Sequence, residues 1–271
     1  MKRRMMLYFG SFNPVHNGHT ALAEWVVGEG VCDELVMVVS PQNPLKPNSM
    51  LAPETDRFEM AELACAASKY PDRIKPSVVE FLLEKPSYTI STLRYLEENF
   101  GAQMEFSILM GTDLVNTLDR WKEYESIVAR YPIYVYPRRG HEVEKFADRI
   151  HFLAGAPQFD YSSTEVRRTL QTGGDASRMV APAVLGYIRE KGLWSAEEYV
   201  RSLDGRLAEN PDDAEALMER GRLHYRRNRW GDALTDFGRV LELQPDHTEA
   251  RQMREMIYEI LQFRYTDLYN P

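Results

Sequence analysis

The chain has 271 residues, 44% hydrophobic and 27% charged, enough material for one large domain or two smaller ones with ordinary cores. Its 33 Lys and Arg stand against 41 Asp and Glu, and the net charge of −8 argues against binding a nucleic-acid polymer. Cys32 and Cys65 make no disulfide framework, the basic start breaks at Gly10-Ser11 before it can act as a signal peptide, and no apolar run approaches a membrane span, so the expected location is cytoplasmic.

Met5 to Phe9 reads as a buried strand, and Ala21, Leu22, Trp25 and Val26 fall at helical spacing. Gly10-Ser11-Phe12-Asn13-Pro14-Val15-His16-Asn17-Gly18-His19-Thr20 is therefore a strand-to-helix turn. A helix start aims unpaired N–H groups and partial positive charge into such a turn, which suits a phosphate. Gly10, lacking a Cβ, is expected to let a ligand approach the backbone. His16 and His19 are three apart and share a helical face. They read as donors to a polyphosphate, as half of a metal site, or as plain capping residues. Zinc would need Cys, Asp or Glu partners that the segment lacks. The pair alone favours capping; the strand, glycines and helix around it favour phosphate.

The first helix runs to about Val27, and Leu35 to Val39 is a β-branched run typical of a strand covered on both faces. Ser40-Pro41-Gln42-Asn43-Pro44-Leu45-Lys46-Pro47 follows as an extended loop at a carboxyl strand end, where ligands bind in α/β sheets. A lone lysine such as Lys46 is ordinarily just solvated. Pro53 to Ala67 reads as a helix with one apolar stripe and Arg57 at its rim, and Ile74 to Val79 as a short strand. Serine and threonine after Pro86 are natural caps for a helix carrying Leu93, Leu96 and Phe100. Glu105 to Met110 is a buried strand ended by Gly111-Thr112-Asp113, where Asp113 suits a cap. Trp121 is a core aromatic or a platform for a flat ligand. Tyr131 to Tyr136 is a strand closed by Pro137-Arg138-Arg139-Gly140, and Ile150 to Leu153 is the last strand. Ser162-Ser163-Thr164-Glu165 opens a helix with a capping box, and Arg167 lies one turn on, its planar fork suited to phosphate oxygens. Alternating strands and helices of this kind make an α/β fold with a doubly wound parallel sheet.

After Trp194 the character changes to helix formers. Ala214 to His247 fits a tetratricopeptide repeat of about 34 residues, marked by Gly221, Tyr225, Ala233, Phe237 and Pro245. Glu197 to Pro211 reads as half a preceding repeat and Thr248 to Tyr265 as a closing helix. That is too little to stand alone, so the tail is expected to pack on the first domain, on a second copy or on a protein partner. The expected division is 1–194 and 195–271.

The turn Gly10 to His19 resembles the HxGH signature of the nucleotidyltransferase superfamily, and its flanks resemble the bacterial nicotinate-nucleotide adenylyltransferases. Ser40 to Lys46 is similar to that family's S-P-x-x-P-x-K stretch. Ser87 to Leu93 resembles S-Y-T-x-D-T-L, with Ser91 for the usual Asp. Gly111-Thr112-Asp113 with Trp121-Lys122 resembles G-x-D…W-K. Arg138 stands where the family's R-P-G arginine is found, with Arg139 for its proline. Tyr161 to Arg167 resembles I-S-S-T-x-I-R, and Met179 to Trp194 the family's closing helix. The resemblance implies a nucleotidyltransferase fold and transfer of AMP from ATP to nicotinate mononucleotide. It implies His16, His19, Lys46 and Arg167 as catalytic residues. Gly10, Ser11, Phe12, Gly18, Gly111, Asp113, Ser162, Ser163 and Thr164 would bind ATP, and Tyr88, Thr89, Trp121 and Arg138 the acceptor. Mg2+ would arrive with ATP and need no dedicated protein ligand. Phosphopantetheine is the alternative acceptor, although that subfamily usually carries threonine where His16 stands. An adaptor with a degenerate nucleotide domain is a further alternative, opposed by the intact motifs. A dehydrogenase is disfavoured because no G-x-G-x-x-G follows the first strand.

Overall fold

The computed structural model describes residues 2–41, 51–85 and 87–268. The chain forms two compact units, one of Met1–Arg167 with Ala176–Glu190, the other of Arg168–Asp175 with Lys191–Pro271.

In the first unit, strands β1 (Arg3–Gly10), β2 (Glu34–Val39), β3 (Ile74–Ser77), β4 (Met104–Gly111), β5 (Ile133–Tyr136) and β6 (His151–Phe152) form one sheet in the order β3-β2-β1-β4-β5-β6. Every pairing is parallel. Met6 and Leu7 of β1, Val38 of β2 and Ile108 of β4 have no exposed surface, as expected of strands covered on both faces. Helices α1 (Asn17–Gly28), α2 (Glu54–Ala66), α3 (Thr89–Phe100), α4 (Thr112–Val115), α5 (Tyr124–Arg130), α6 (Ser163–Gln171) and α7 (Pro182–Lys191) follow in chain order, α6 running on into residues of the second unit. Winding reverses between β1 and β4. In a doubly wound sheet the crevice beyond the strand ends at that reversal is the ligand site. Gly10 ends β1 there and Gly111 ends β4.

The helix that follows Gly111 is a single turn. Two expectations are corrected here. The strand from Ile74 ends at Ser77, because Val79–Phe81 turns into a 3-10 helix. Arg57 is not at a helix rim: it is completely buried on the face of α2 that carries Met60, Ala61 and Ala64.

The second unit is built from α8 (Ala196–Glu209), α9 (Ala214–Arg226), α10 (Trp230–Leu243) and α11 (Thr248–Leu268) around Leu203, Leu217, Phe237, Val240 and Ile257. A Cβ on Gly221 would come within 2.6 Å of the Phe237 ring, so glycine sets how closely α9 and α10 approach. Tyr225 only flanks this core. His224, one residue earlier, is the buried ring, with 6% exposure.

Candidate active site

His16 is the N-cap of α1, and the two histidines close a capping box. The Gly18 N–H donates to His16 Nδ1 at 3.1 Å, and the His16 N–H donates to His19 Nδ1 at 3.1 Å. A backbone N–H can only donate, so each Nδ1 is bare and each neutral ring carries its proton on Nε2. The rings stack with centroids 3.7 Å apart. Burial first, then the charge of Arg138, lowers the His16 pKa to about 4. His19 is held well below its ordinary value by burial, then by His16 and Arg138. Capping and anion binding are thus compatible: Nδ1 closes the helix, while the Nε2–H of each ring takes no part in the cap.

The histidines line a cleft open to solvent with Tyr8, Tyr136, Arg138 and Tyr161. Gly18 leaves the His16 ring its place, since a Cβ there would lie 3.0 Å from it. Gly10 departs from expectation. Its vacant Cβ position lies 3.0 Å from the Phe12 ring, not beside open space for a ligand. Phe12 has φ +43°, is 2% exposed, and sets its ring edge-on to Tyr8 and His19.

Asp113 does not cap a helix. The N-cap of α4 is Gly111, without a side-chain cap, and Asp113 Oδ2 accepts from Arg138 Nη1 at 2.8 Å. A Cβ on Gly111 would stand 2.5 Å from Asp113 Oδ1 and 2.9 Å from Arg138 Cδ, so this glycine makes room for the ion pair. Asp113 Oδ1 is buried without a hydrogen-bond partner. The pair fixes the positive charge that both imidazoles sense.

The start of α6 is tied to the turn after β1. Ser162 and Glu165 form the expected capping box, Ser162 N and Oγ donating to Glu165 Oε2 at 2.7 and 3.0 Å. Ser163 Oγ donates to the Pro14 carbonyl at 2.8 Å. Arg167 Nη1 donates to the Asn13 carbonyl at 2.7 Å and Nη2 to Thr164 Oγ1 at 3.2 Å, leaving Nε buried without a partner. Two distant motifs therefore meet at one loop.

Sequence reasoning missed two buried charges near this loop. Arg57 donates to the carbonyls of Ser11, Ser40, Pro41 and Ala52. Glu80, 3% exposed, accepts from Thr92 Oγ1 at 3.1 Å, and burial pushes its carboxyl pKa up. The signal for Arg57 was its spacing, three residues before Met60 on an apolar stripe.

Tyr88 is the N-cap of α3, and Thr89 its first residue. Lys122 Nζ sits 4.5 Å from the centroid of the Tyr88 ring, and Tyr88 and Trp121 both pack half-buried on the sheet core. The structure brings these two segments together, but they do not line the histidine cleft. Lys46 lies outside the described residues. Among the described residues no three His, Cys, Asp or Glu gather as a metal cage, and no helix is long and apolar enough to cross a membrane.

Residues 7–169 match the cytidylyltransferase-like family model, and residues 185–258 a tetratricopeptide-repeat model. A probable nicotinate-nucleotide adenylyltransferase of Flavobacterium johnsoniae is 40% identical over 192 residues, covering 69% of this chain and 97% of its own length. One from Bacteroides fragilis is 40% identical over 185 residues, covering 68% of this chain and 90% of its own. The solved Plasmodium falciparum nicotinic acid mononucleotide adenylyltransferase complexed with APC shares the fold, with a TM-score of 0.59 at 19% identity, covering 71% of this chain and 97% of that one. Signature loop, switch-point cleft and these likenesses agree: the chain belongs to the cytidylyltransferase-like family and, within it, to the nicotinate-nucleotide adenylyltransferases, with a tetratricopeptide-repeat region after the enzyme fold.

Proposed function

We propose that this chain transfers the adenylyl group of ATP to nicotinate mononucleotide, giving deamido-NAD and pyrophosphate. An oxygen of the acceptor's 5′-phosphate attacks the α-phosphorus, the bond to the bridging oxygen of the β-phosphate breaks, and pyrophosphate leaves. Such a transfer needs alignment and charge stabilisation more than covalent help. The observation that carries the reading is the stacked, neutral pair His16 and His19 at the tip of α1, each with its proton on Nε2. Neutral donors strengthen a hydrogen bond to a phosphate oxygen as its charge grows, without holding the product as a full ion pair would.

In this reading His16 and His19 donate to the reacting phosphates, and Arg167 and Lys46 hold the triphosphate and the leaving pyrophosphate. Gly10, Ser11, Phe12 and Gly18 shape the ATP side, along with Gly111, Asp113 and Ser162 to Thr164. Tyr88, Thr89 and Trp121 take the pyridine nucleotide, with Arg138 at its phosphate. Magnesium fits the donor set as an ion held by phosphates and water, since the site offers imidazoles, arginines and few carboxylates. Asp113, with its orphaned Oδ1, is the residue that would meet it. When bound, the ion neutralises phosphate charge. The domain limits that accompany this reading are 1–194 and 195–271, and the second region is free to serve self-association or a protein partner.

The test is pyrophosphate release from ATP with nicotinate mononucleotide, nicotinamide mononucleotide and phosphopantetheine as separate acceptors. Nicotinate mononucleotide is expected to give the highest kcat/KM; preference for phosphopantetheine, or no release with any acceptor, would contradict the reading.

A further inference from the structure

Arg57 has no exposed surface and is, among the described residues, the bulkiest side chain so enclosed. Among the described residues its hydrogen bonds go to main-chain carbonyls and to no carboxylate. Nε donates to Ala52 at 3.0 Å, Nη1 to Ser11 at 2.8 Å and Ser40 at 2.6 Å, and Nη2 to Pro41 at 2.8 Å. Burial lowers its pKa, and the charge of Glu54 opposes that only in part. A charge is costly to enclose in this way, and the neighbouring places on α2 are filled by Met60, Ala61 and Ala64. Core packing alone does not call for a guanidinium here.

What the side chain achieves is geometric. One planar fork joins three separate pieces of backbone: the turn after β1 at Ser11, the end of β2 at Ser40 and Pro41, and the approach to α2 at Ala52. Ala52 adds a second tie, its N–H donating to Asn13 Oδ1 at 2.9 Å. Arg167 and Ser163 in turn hold the carbonyls of Asn13 and Pro14. Residues 11–14 belong to no helix or strand, and Phe12 occupies the left-handed region at φ +43°. Carbonyls in such a segment need donors from elsewhere. The segment leads directly into His16, the cap of α1.

We propose that Arg57 is a positioning residue for adenylyl transfer: by fixing the Ser11 carbonyl against the end of β2 it sets the turn that carries His16 and His19, and so the direction of their Nε2–H donors. This rests on the reaction assigned above. Lysine cannot replace it, because one ammonium nitrogen cannot span acceptors that a planar fork reaches from three nitrogens.

The experiment uses the full chain as wild type, Arg57→Lys and Arg57→Gln. Circular dichroism establishes folding, pyrophosphate release gives kcat and KM for ATP, and 15N-detected NMR of the histidines is run without substrate. We expect folded variants with kcat/KM lowered on the order of 100-fold, less for Lys than for Gln. The His16 and His19 resonances should shift and titrate closer to the ordinary histidine range. A role in stability alone would lower the melting temperature and leave the histidine spectra and kcat/KM of the folded fraction unchanged, which would overturn the proposal. Failure of both variants to fold would also overturn it, by assigning Arg57 to folding. Absence of pyrophosphate release in the wild type would instead count against the assigned reaction, and the NMR comparison would still decide the positioning.

Discussion

Two arginine-centred clusters, one in each unit, satisfy buried charge in opposite ways. In the nucleotide-binding unit, Arg57 gives its N–H groups to backbone carbonyls, Arg167 gives one to the Asn13 carbonyl, and His16 caps a helix with one nitrogen while the other stays out of the cap. In the helical unit, buried Asp236 is held by Arg220 through two bonds at 2.7 and 3.0 Å, and Arg220 also reaches Asp204 at 2.7 Å. That second network runs from side chain to side chain among α8, α9 and α10. The first holds an irregular loop in a shape it would not keep alone; the second joins regular helices to each other. At Arg57 the buried charge is aimed at the backbone that leads into the histidine turn, and at Asp236 it is aimed at an opposite charge and joins three helices.

The sharpest way to break this contrast is to separate activity from stability in each unit. His19→Ala is expected to keep the fold, judged by its melting curve, and to lower turnover by about 1,000-fold, the scale of losing one donor to a developing charge. Unchanged turnover in the purified variant would remove His19 from the chemistry. Arg220→Met should behave in reverse, leaving pyrophosphate release per folded molecule intact. It strands the Asp236 carboxylate without its partner and should lower unfolding free energy in urea by about 3 kcal/mol. Adding Asp236→Leu should restore most of that loss; if it does not, the pair does more than neutralise itself.

The smallest expected effect is on pH. The His16 pKa lies near 4 in the fold and near 6.5 in a model peptide. Above about pH 6.5 both states hold a neutral ring, and this group adds no pH dependence. Between 6.5 and 4 the unfolded chain binds a proton that the folded chain does not, so stability falls as pH falls. The slope is at most about 1.4 kcal/mol per pH unit for one such group. Urea midpoints at pH 7 and pH 5 should therefore diverge less in His16→Asn than in the wild type.

Much of this was legible in the sequence. Apolar runs marked the central strands, and the spacing of His16 and His19 placed the rings on one face. The capping box of Ser162 and Glu165 could be read from residue types alone. What could not be read was contact between distant segments. The target of Arg57 lies in carbonyls 5 to 46 residues away, and no carbonyl announces itself by residue type. The use of Gly10 depends on Phe12 adopting a positive φ, which β and helix patterns do not encode. Asp113 was read locally as a cap, whereas its partner Arg138 comes from the end of another strand.

The claim at the centre is that two neutral imidazoles present Nε2–H to a nucleotide's phosphates. Long-range 1H–15N NMR of the histidines at pH 7, with and without ATP and magnesium, tests it directly. The prediction is a bare Nδ1 and a protonated Nε2 in both His16 and His19, with the Nε2–H signals shifting when ATP binds. A proton on Nδ1, a doubly protonated ring, or signals indifferent to ATP would contradict it.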